Sequence, residues 1–343
     1  MSSTQAATTN RQYRLARRPS GLPVREDWSF TTEPVAEADA GGVLVKTLAL
    51  SLDPAMRGWM NEGKSYIAPV GIGDVMRAGG IGTVIASKSP AFAVGDTVYG
   101  TLGVQEYARF DAGQIAKRAL ERVDLRTGTM TQWLNVLGMP GMTAYFGLLD
   151  VGQPKPGETV VVSGAAGAVG QTVGQLAKIK GCRAVGSAGG PAKCEWVVKE
   201  LGFDACIDYK AGPVKDGLKA HCPAGVDVYF DNVGGEITDA VLRNINFFAR
   251  IALCGSISQY NATGPSMGPR LLGTFVGKRV RAQGFIVTDF ASKYEPAMRQ
   301  MGEWIKSGRL KYREDVVQGI DKAPRAFIGL LRGENFGKML VKM

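Results

Sequence analysis

The chain has 343 residues, 45% hydrophobic and 21% charged, the composition of a globular protein long enough for two domains. No apolar run reaches the roughly 20 residues needed to cross a bilayer and no signal-peptide core follows Met1, so a soluble, cytoplasmic protein without a membrane partner is expected. The formal net charge of +10 is scattered, and the basic block at residues 11–18 has little aromatic interleaving; the positive field suits an anionic cofactor better than nucleic acid.

The first acidic residue is Glu26, preceded by Ser, Thr and several Arg, a composition shared with organelle transit peptides. A short disordered tail of about ten residues is the preferred reading, because Tyr13 and Leu15 already read as core-facing. Up to about residue 125 the texture is β-rich. Short apolar runs at 43–50, 82–86 and 97–99 are punctuated by Gly79-Gly80, Gly82 and Gly95-Asp96, which predicts a compact, mostly antiparallel β domain.

At 159–163 an apolar β-branched run leads into Gly164-Ala165-Ala166-Gly167-Ala168-Val169-Gly170 and then a helical pattern over 169–180. The register Ala165-x-Gly167-x-x-Gly170 is the dinucleotide fingerprint with alanine in place of the first glycine. It calls for a tight turn, a backbone that approaches a pyrophosphate and a helix whose N–H groups and positive dipole end face the anion. An NAD site carries Asp or Glu about 20 residues past the first glycine. Here that place holds Val185-Gly186-Ser187-Ala188-Gly189-Gly190, and the next acid is Glu195. Small residues such as Gly189 leave room for a 2′-phosphate, and Lys193 can meet it as a point charge, so NADPH/NADP+ is preferred; a solvated surface lysine is the alternative.

Strands are predicted at 184–187, 205–208, 226–231, 250–254 and 280–285, alternating with helices in a doubly wound parallel sheet. Helices follow at 296–306 and 323–331, then a strand at 337–342 that rejoins the first domain. The domains read as 1–131 with 296–343, and 132–295 as a nucleotide-binding insertion. The five cysteines Cys182, Cys194, Cys206, Cys222 and Cys254 form no C-x-x-C pair, and His221 is the single histidine. No metal site or disulfide framework is expected, and catalysis must proceed without zinc or a histidine base elsewhere.

Several ordered segments carry a family resemblance: residues 50–58 (Leu-Ser-Leu-Asp-Pro-Ala-Met-Arg-Gly), 137–145 (Leu-Gly-Met-Pro-Gly-Met-Thr-Ala-Tyr), 229–235 (Tyr-Phe-Asp-Asn-Val-Gly-Gly), 254–261 (Cys-Gly-Ser-Ile-Ser-Gln-Tyr-Asn) and 333–338 (Gly-Glu-Asn-Phe-Gly-Lys). From about residue 11 onward the chain resembles the medium-chain dehydrogenases/reductases. Within them it is most similar to the zinc-independent branch of prostaglandin reductases, leukotriene B4 12-hydroxydehydrogenases, plant alkenal double-bond reductases and bacterial NADPH-dependent curcumin reductases. The resemblance implies an α/β fold, a Rossmann doubly wound parallel sheet inserted in a GroES-like β-rich catalytic domain, and a homodimer meeting through the nucleotide-domain sheets. It also implies an ene reductase that reduces the conjugated C=C bond of a small-molecule enone or enal. The zinc-dependent relatives use Cys and His ligands that this chain lacks at the corresponding segments, which favours C=C reduction over alcohol oxidation.

By the same resemblance, Tyr260 is the leading catalytic residue, a phenol able to donate a hydrogen bond to a developing enolate oxygen. A packing tyrosine is its alternative. Tyr66 is a secondary candidate lining the pocket. The implied cofactor residues are Ala165, Gly167, Ala168, Val169, Gly170, Gly189, Lys193, Tyr209, Asn232, Cys254 and Ser256, with Asn335, Met139 and Thr143 toward the nicotinamide and the main chain of Phe285, Ile286 and Val287 at the carboxamide. Asn335 also fits a turn before glycine. Arg57 is left open between support of the cofactor cleft and an ion pair within the first domain. A quinone oxidoreductase and a non-catalytic NADPH-binding sensor or structural protein remain as competing functions.

Overall fold

A computed structural model describes residues 9–343; most of the expected N-terminal tail lies outside the described residues. The strands in chain order are β1 (Thr9–Leu15), β2 (Trp28–Pro34), β3 (Val43–Ser51), β4 (Gly80–Ser87), β5 (Thr97–Gly100), β6 (Tyr107–Phe110), β7 (Leu120–Arg122), β8 (Thr159–Ser163), β9 (Arg183–Ala188), β10 (Ala205–Asp208), β11 (Val226–Asp231), β12 (Ile245–Leu253), β13 (Arg281–Gly284), β14 (Glu314–Gln318) and β15 (Lys338–Lys342). The chain divides into two compact units, the first comprising residues up to Leu134 with Asp315–Glu334 and Met339–Met343, the second Asn135–Glu314 with Asn335–Lys338.

The first unit is β-rich. Strands β1 and β2 pair antiparallel, with Tyr13 opposite Phe30 and Leu15 opposite Trp28. A second sheet runs β14-β15-β3-β4-β5-β7, with β6 also on β3. Strand β3 is paired on both sides and almost wholly buried, which is why its sequence is a near-continuous apolar run rather than an alternating one. Val45, Leu50, Met56, Val84, Phe327 and Val341 share its core.

The second unit holds a six-stranded parallel sheet in the order β10-β9-β8-β11-β12-β13, the doubly wound arrangement whose ligands collect at the carboxyl ends of the strands. Successive side chains of its central strands point to opposite faces. Val160, Val162 and Phe230 therefore enter one core with Val173 and Leu176 of the helix Gly170–Ile179, while Val161 and Tyr229 enter another with Leu218 and Val241. That helix buries Val173, Leu176 and Ala177 on one face and stops at Gly181, whose φ of 78° suits a left-handed cap.

Two sequence expectations need correction. The seam expected at 295–296 lies at 314–315. The helix Tyr294–Lys306 buries Ala297, Met301 and Trp304 in the same core as Val160 and Val162, so it stays with the parallel sheet. Residues Asn335–Lys338 also return to the second unit, where Gly337 N–H reaches Ala166 O at 3.0 Å and Lys338 N–H reaches Arg313 O at 3.0 Å. Strand β12 begins five residues earlier than expected; Phe247 and Phe248 along it are more than half exposed, which hides its alternation.

Candidate cofactor and active site

The apolar strand β8 ends at Ser163, and Gly164 reverses the chain with a φ of 64°. The left-handed residue of the turn is therefore Gly164; Ala165 is buried and donates its N–H to Ser187 O of β9 at 2.9 Å. Gly167 N–H closes the turn on Gly164 O at 2.9 Å. A Cβ on Gly170 would stand 2.2 Å from Gly164 O and 2.8 Å from the Ala165 Cα, so close helix–strand packing demands glycine there. A Cβ on Gly167 would meet only Gly164 O, at 3.2 Å. The protein's own packing thus explains Gly170 and leaves open space over Gly167, beside Ala168 and Val169 at the mouth of the helix. That opening, with the helix's first N–H groups lacking intrahelical carbonyls, fits a pyrophosphate.

The segments that follow β9 and β10 carry Gly189, Lys193 and Tyr209. Gly189 and Gly190 lead into the helix Pro191–Lys199, whose first turn carries Lys193. The Tyr209 hydroxyl lies 2.6 Å from where a Gly189 Cβ would be, so the phenol spans the bare backbone of Gly189. Asp208, which sequence reasoning missed, fastens the two loops together: its Oδ1 accepts Gly190 N–H at 2.8 Å and Lys210 N–H at 2.9 Å.

The ends of β11 and β12 bring together Asn232, Cys254, Ser256 and Tyr260. Asn232 is clamped to the end of β8, donating Nδ2–H to Ser163 O at 2.8 Å and its backbone N–H to Ser163 Oγ at 2.9 Å. Cys254 and Gly255 donate their N–H groups to Asp231 O at 2.9 and 3.0 Å. Burial, with Asp231 nearby, pushes the Cys254 thiol up to about 12, so it is a neutral packing group. Tyr260 follows the turn Ile257–Gln259, and its ring folds back so that its hydroxyl accepts Ser256 N–H at 3.4 Å and approaches within 2.9 Å of a Cβ built on Gly255.

Asn335 is buried and joins the fingerprint turn through its neighbour: its Nδ2 donates to Gly337 O at 2.8 Å, and Gly337 bridges Gly167. Thr143 donates Oγ1–H to Met139 O at 2.7 Å on the helix Met139–Phe146. Phe285 turns its ring against Phe230, centroids 6.2 Å apart, while Ile286 O accepts Asp289 N–H at 3.0 Å and Val287 O accepts the Tyr294 hydroxyl at 3.0 Å.

In the β-rich unit, Tyr66 is 60% exposed and accepts Trp59 Nε1–H at 3.0 Å. A cavity of about 240 Å³ opens beside it, lined by Trp59, Asn61, Lys64, Ser65 and Pro69 among others. Arg57 is buried and donates to Gly21 O at 2.9 Å and to Asn61 Oδ1 at 2.5 Å, and burial lowers its pKa. It also donates to Pro19 O at 3.3 Å, and Pro19, Gly21 and Asn61 all belong to that unit. Among the described residues no three His, Cys, Asp or Glu side chains converge on a metal-sized site.

A parallel 3-2-1-4-5-6 sheet with this fingerprint, accompanied by an antiparallel β-rich unit, defines a dinucleotide-dependent oxidoreductase. A family model described as the N-terminal domain of oxidoreductase matches residues 11–117, and one described as zinc-binding dehydrogenase matches 168–304. The putative NADP-dependent oxidoreductase YfmJ of Bacillus subtilis (strain 168) is 48% identical over 98% of both chains. The NADPH-dependent curcumin reductase of Escherichia coli (strain K12) is 45% identical over 99% of this chain and 98% of its own. The crystal structure of CurA in complex with NADPH from Vibrio vulnificus superposes with a TM-score of 0.92 at 45% identity, over 97% of this chain and 99% of that one. The chain belongs to the medium-chain dehydrogenase/reductase family.

Proposed function

We propose that this protein is an NADPH-dependent ene reductase that saturates the C=C bond of α,β-unsaturated ketones and aldehydes. The observation that carries the reading is the Tyr260 phenol, folded over Gly255–Ser256 at the carboxyl edge of the parallel sheet and sharing a loop system with Asn232. The likeness to a curcumin reductase at 45% identity supports the same chemistry.

When bound, NADPH supplies a hydride to the β-carbon of the enone. The chain's own residues do the rest. The fingerprint turn and the N–H groups at Ala168–Gly170 hold the pyrophosphate, Lys193 and Tyr209 meet the 2′-phosphate across Gly189, and Asn232, Asn335, Met139 and Thr143 fix the nicotinamide half. Tyr260 donates its Oη–H to the substrate carbonyl oxygen, a hydrogen bond that strengthens as negative charge gathers there. Tyr66 lines the substrate side.

Supplying NADPH deuterated at the transferred position tests the reaction directly. The label belongs on the β-carbon of a saturated ketone whose carbonyl is intact; label on the carbonyl carbon contradicts the reading.

We assign the working form as a homodimer. Strand β13 ends the parallel sheet with all four residues exposed, and on the helix Leu272–Lys278 that precedes it Leu272 and Val276 are 74% and 78% exposed, an open strand edge and an apolar surface of the kind that a second copy covers. No helix of the described residues is long and apolar enough to cross a membrane. A cytoplasmic location accords with the five free cysteines.

A further inference from the structure

Asp231 is 2% exposed and ends β11, and among the described residues its hydrogen-bond partners include no cation. Five donors satisfy it instead. Ser163 Oγ, Tyr229 Oη, Val233 N–H and Gly234 N–H approach Oδ1 at 3.1, 2.9, 3.0 and 2.8 Å, and Thr238 Oγ1 donates to Oδ2 at 2.6 Å. Two backbone N–H groups and three hydroxyls thus converge on its two oxygens. The carboxylate therefore dictates the path of Asn232–Gly235.

That loop in turn suspends the segment carrying Tyr260. Asn232 O accepts Ile257 N–H at 3.3 Å, and Val233 O accepts Ser258 N–H at 3.1 Å and Ser258 Oγ–H at 2.6 Å. Asp231 O meanwhile holds the N–H groups of Cys254 and Gly255 at 2.9 and 3.0 Å, so the 254–258 stretch that leads to Tyr260 hangs from the three consecutive carbonyls of Asp231, Asn232 and Val233.

We infer that Asp231 is a positioning residue for catalysis: through the Asn232–Gly235 loop it aims the Tyr260 hydroxyl, while the Ser163 hydroxyl that it shares with the Asn232 N–H serves cofactor binding separately. The inference rests on the reading of Tyr260 as donor to the substrate oxygen. It goes beyond that reading by assigning the aim of the phenol to a buried side chain that touches no reactant.

A double-mutant cycle separates aiming from general support of the fold. Asp231→Asn keeps the size of the side chain but trades one acceptor oxygen for an N–H₂ group facing donors. It is expected to lower kcat about tenfold in the otherwise unchanged enzyme and by less than about twofold in the Tyr260→Phe background, since the phenol it aims is then absent. KM for NADPH should rise by the same factor in both backgrounds, reporting the Asn232 route. Tyr260→Phe alone should lower kcat by roughly tenfold to a thousandfold, the scale of a lost oxyanion donor. If Asp231→Asn costs its full factor in kcat in both backgrounds, the inference is overturned and the reading of Tyr260 stands. If Tyr260→Phe alone leaves kcat unchanged, the reading itself fails and the inference falls with it. Should Asp231→Asn not fold, Ser258→Ala probes the same link at an exposed position: a loss of about two- to threefold in kcat confined to the Tyr260 background supports the inference, and an equal effect in both backgrounds overturns it.

Discussion

At the scale of single residues, cofactor choice rests on a lysine and a missing acid. Lys193 stands in the first turn of the helix that follows Gly189–Gly190, and the Tyr209 phenol lies against Gly189. Lys193→Ala removes the point charge from the 2′-phosphate and leaves the rest of the dinucleotide site intact. KM for NADPH should rise about tenfold while KM for NADH barely moves, since only the former has a phosphate to lose; steady-state kinetics with both cofactors decides it, and equal changes would remove Lys193 from the 2′-phosphate site. Gly189 and Lys193 were legible because an expected Asp or Glu was absent at a fixed spacing, whereas Tyr209 was legible only through the family resemblance. Asp231 and Ser163 were not, because their importance is tertiary: Asn232 N–H meets the hydroxyl of a residue 69 positions away, and no local pattern announces that.

At the scale of elements, the fingerprint turn contains two glycines needed for different reasons. Gly170→Ala would drive a Cβ to 2.2 Å from Gly164 O and should lower stability by about 1–3 kcal/mol, read as a shifted urea midpoint of the cofactor-free protein. Gly167→Ala meets that oxygen only at 3.2 Å, so it should leave the midpoint nearly unchanged and weaken NADPH binding instead, as titration calorimetry would detect. A stability loss at Gly167 matching that at Gly170 would contradict the space assigned to the pyrophosphate.

A second element-scale link ties β12 to the approach of β8. Arg250 donates Nη1–H to Glu158 Oε1 at 2.9 Å. Burial works to raise the Glu158 pKa, but the hydrogen bonds from Arg250 and the Lys155 N–H outweigh it and hold the carboxyl below its ordinary value of 4.5. A pKa lowered in the folded state contributes stability that is complete above the ordinary value and is lost as pH falls through the folded one. Urea midpoints of the native protein should therefore fall more steeply than those of Glu158→Gln between about pH 5 and pH 3. Parallel curves would remove Glu158 from the acid response. The strands β8 and β11 were readable to the residue from their β-branched and aromatic runs. Strand β13 was less so, since Arg281-Ala282-Gln283-Gly284 is exposed throughout and has no buried face to impose an alternation.

At the scale of the whole molecule, the order of elements was legible while the seam was not. The helix Tyr294–Lys306 has a sequence that fits either unit, and only its buried Ala297, Met301 and Trp304 assign it to the parallel-sheet core. The exposed apolar surface beside β13 gives the proposed homodimer its test: Val276→Glu, at a side chain already 78% exposed, should shift sedimentation toward the monomer without lowering the melting temperature of the fold. An unchanged dimer would move the interface elsewhere. The central claim, that the sheet and its loops deliver NADPH reducing equivalents to a conjugated C=C bond, is tested most directly by following NADPH absorbance with the purified protein and an enone, a quinone or no acceptor, and identifying the product. The account predicts NADPH consumption with the enone, stoichiometric with a product that has gained two hydrogens across the C=C bond and kept its carbonyl. Consumption with the quinone alone, or an enone product whose carbonyl is reduced and whose C=C bond survives, would contradict it.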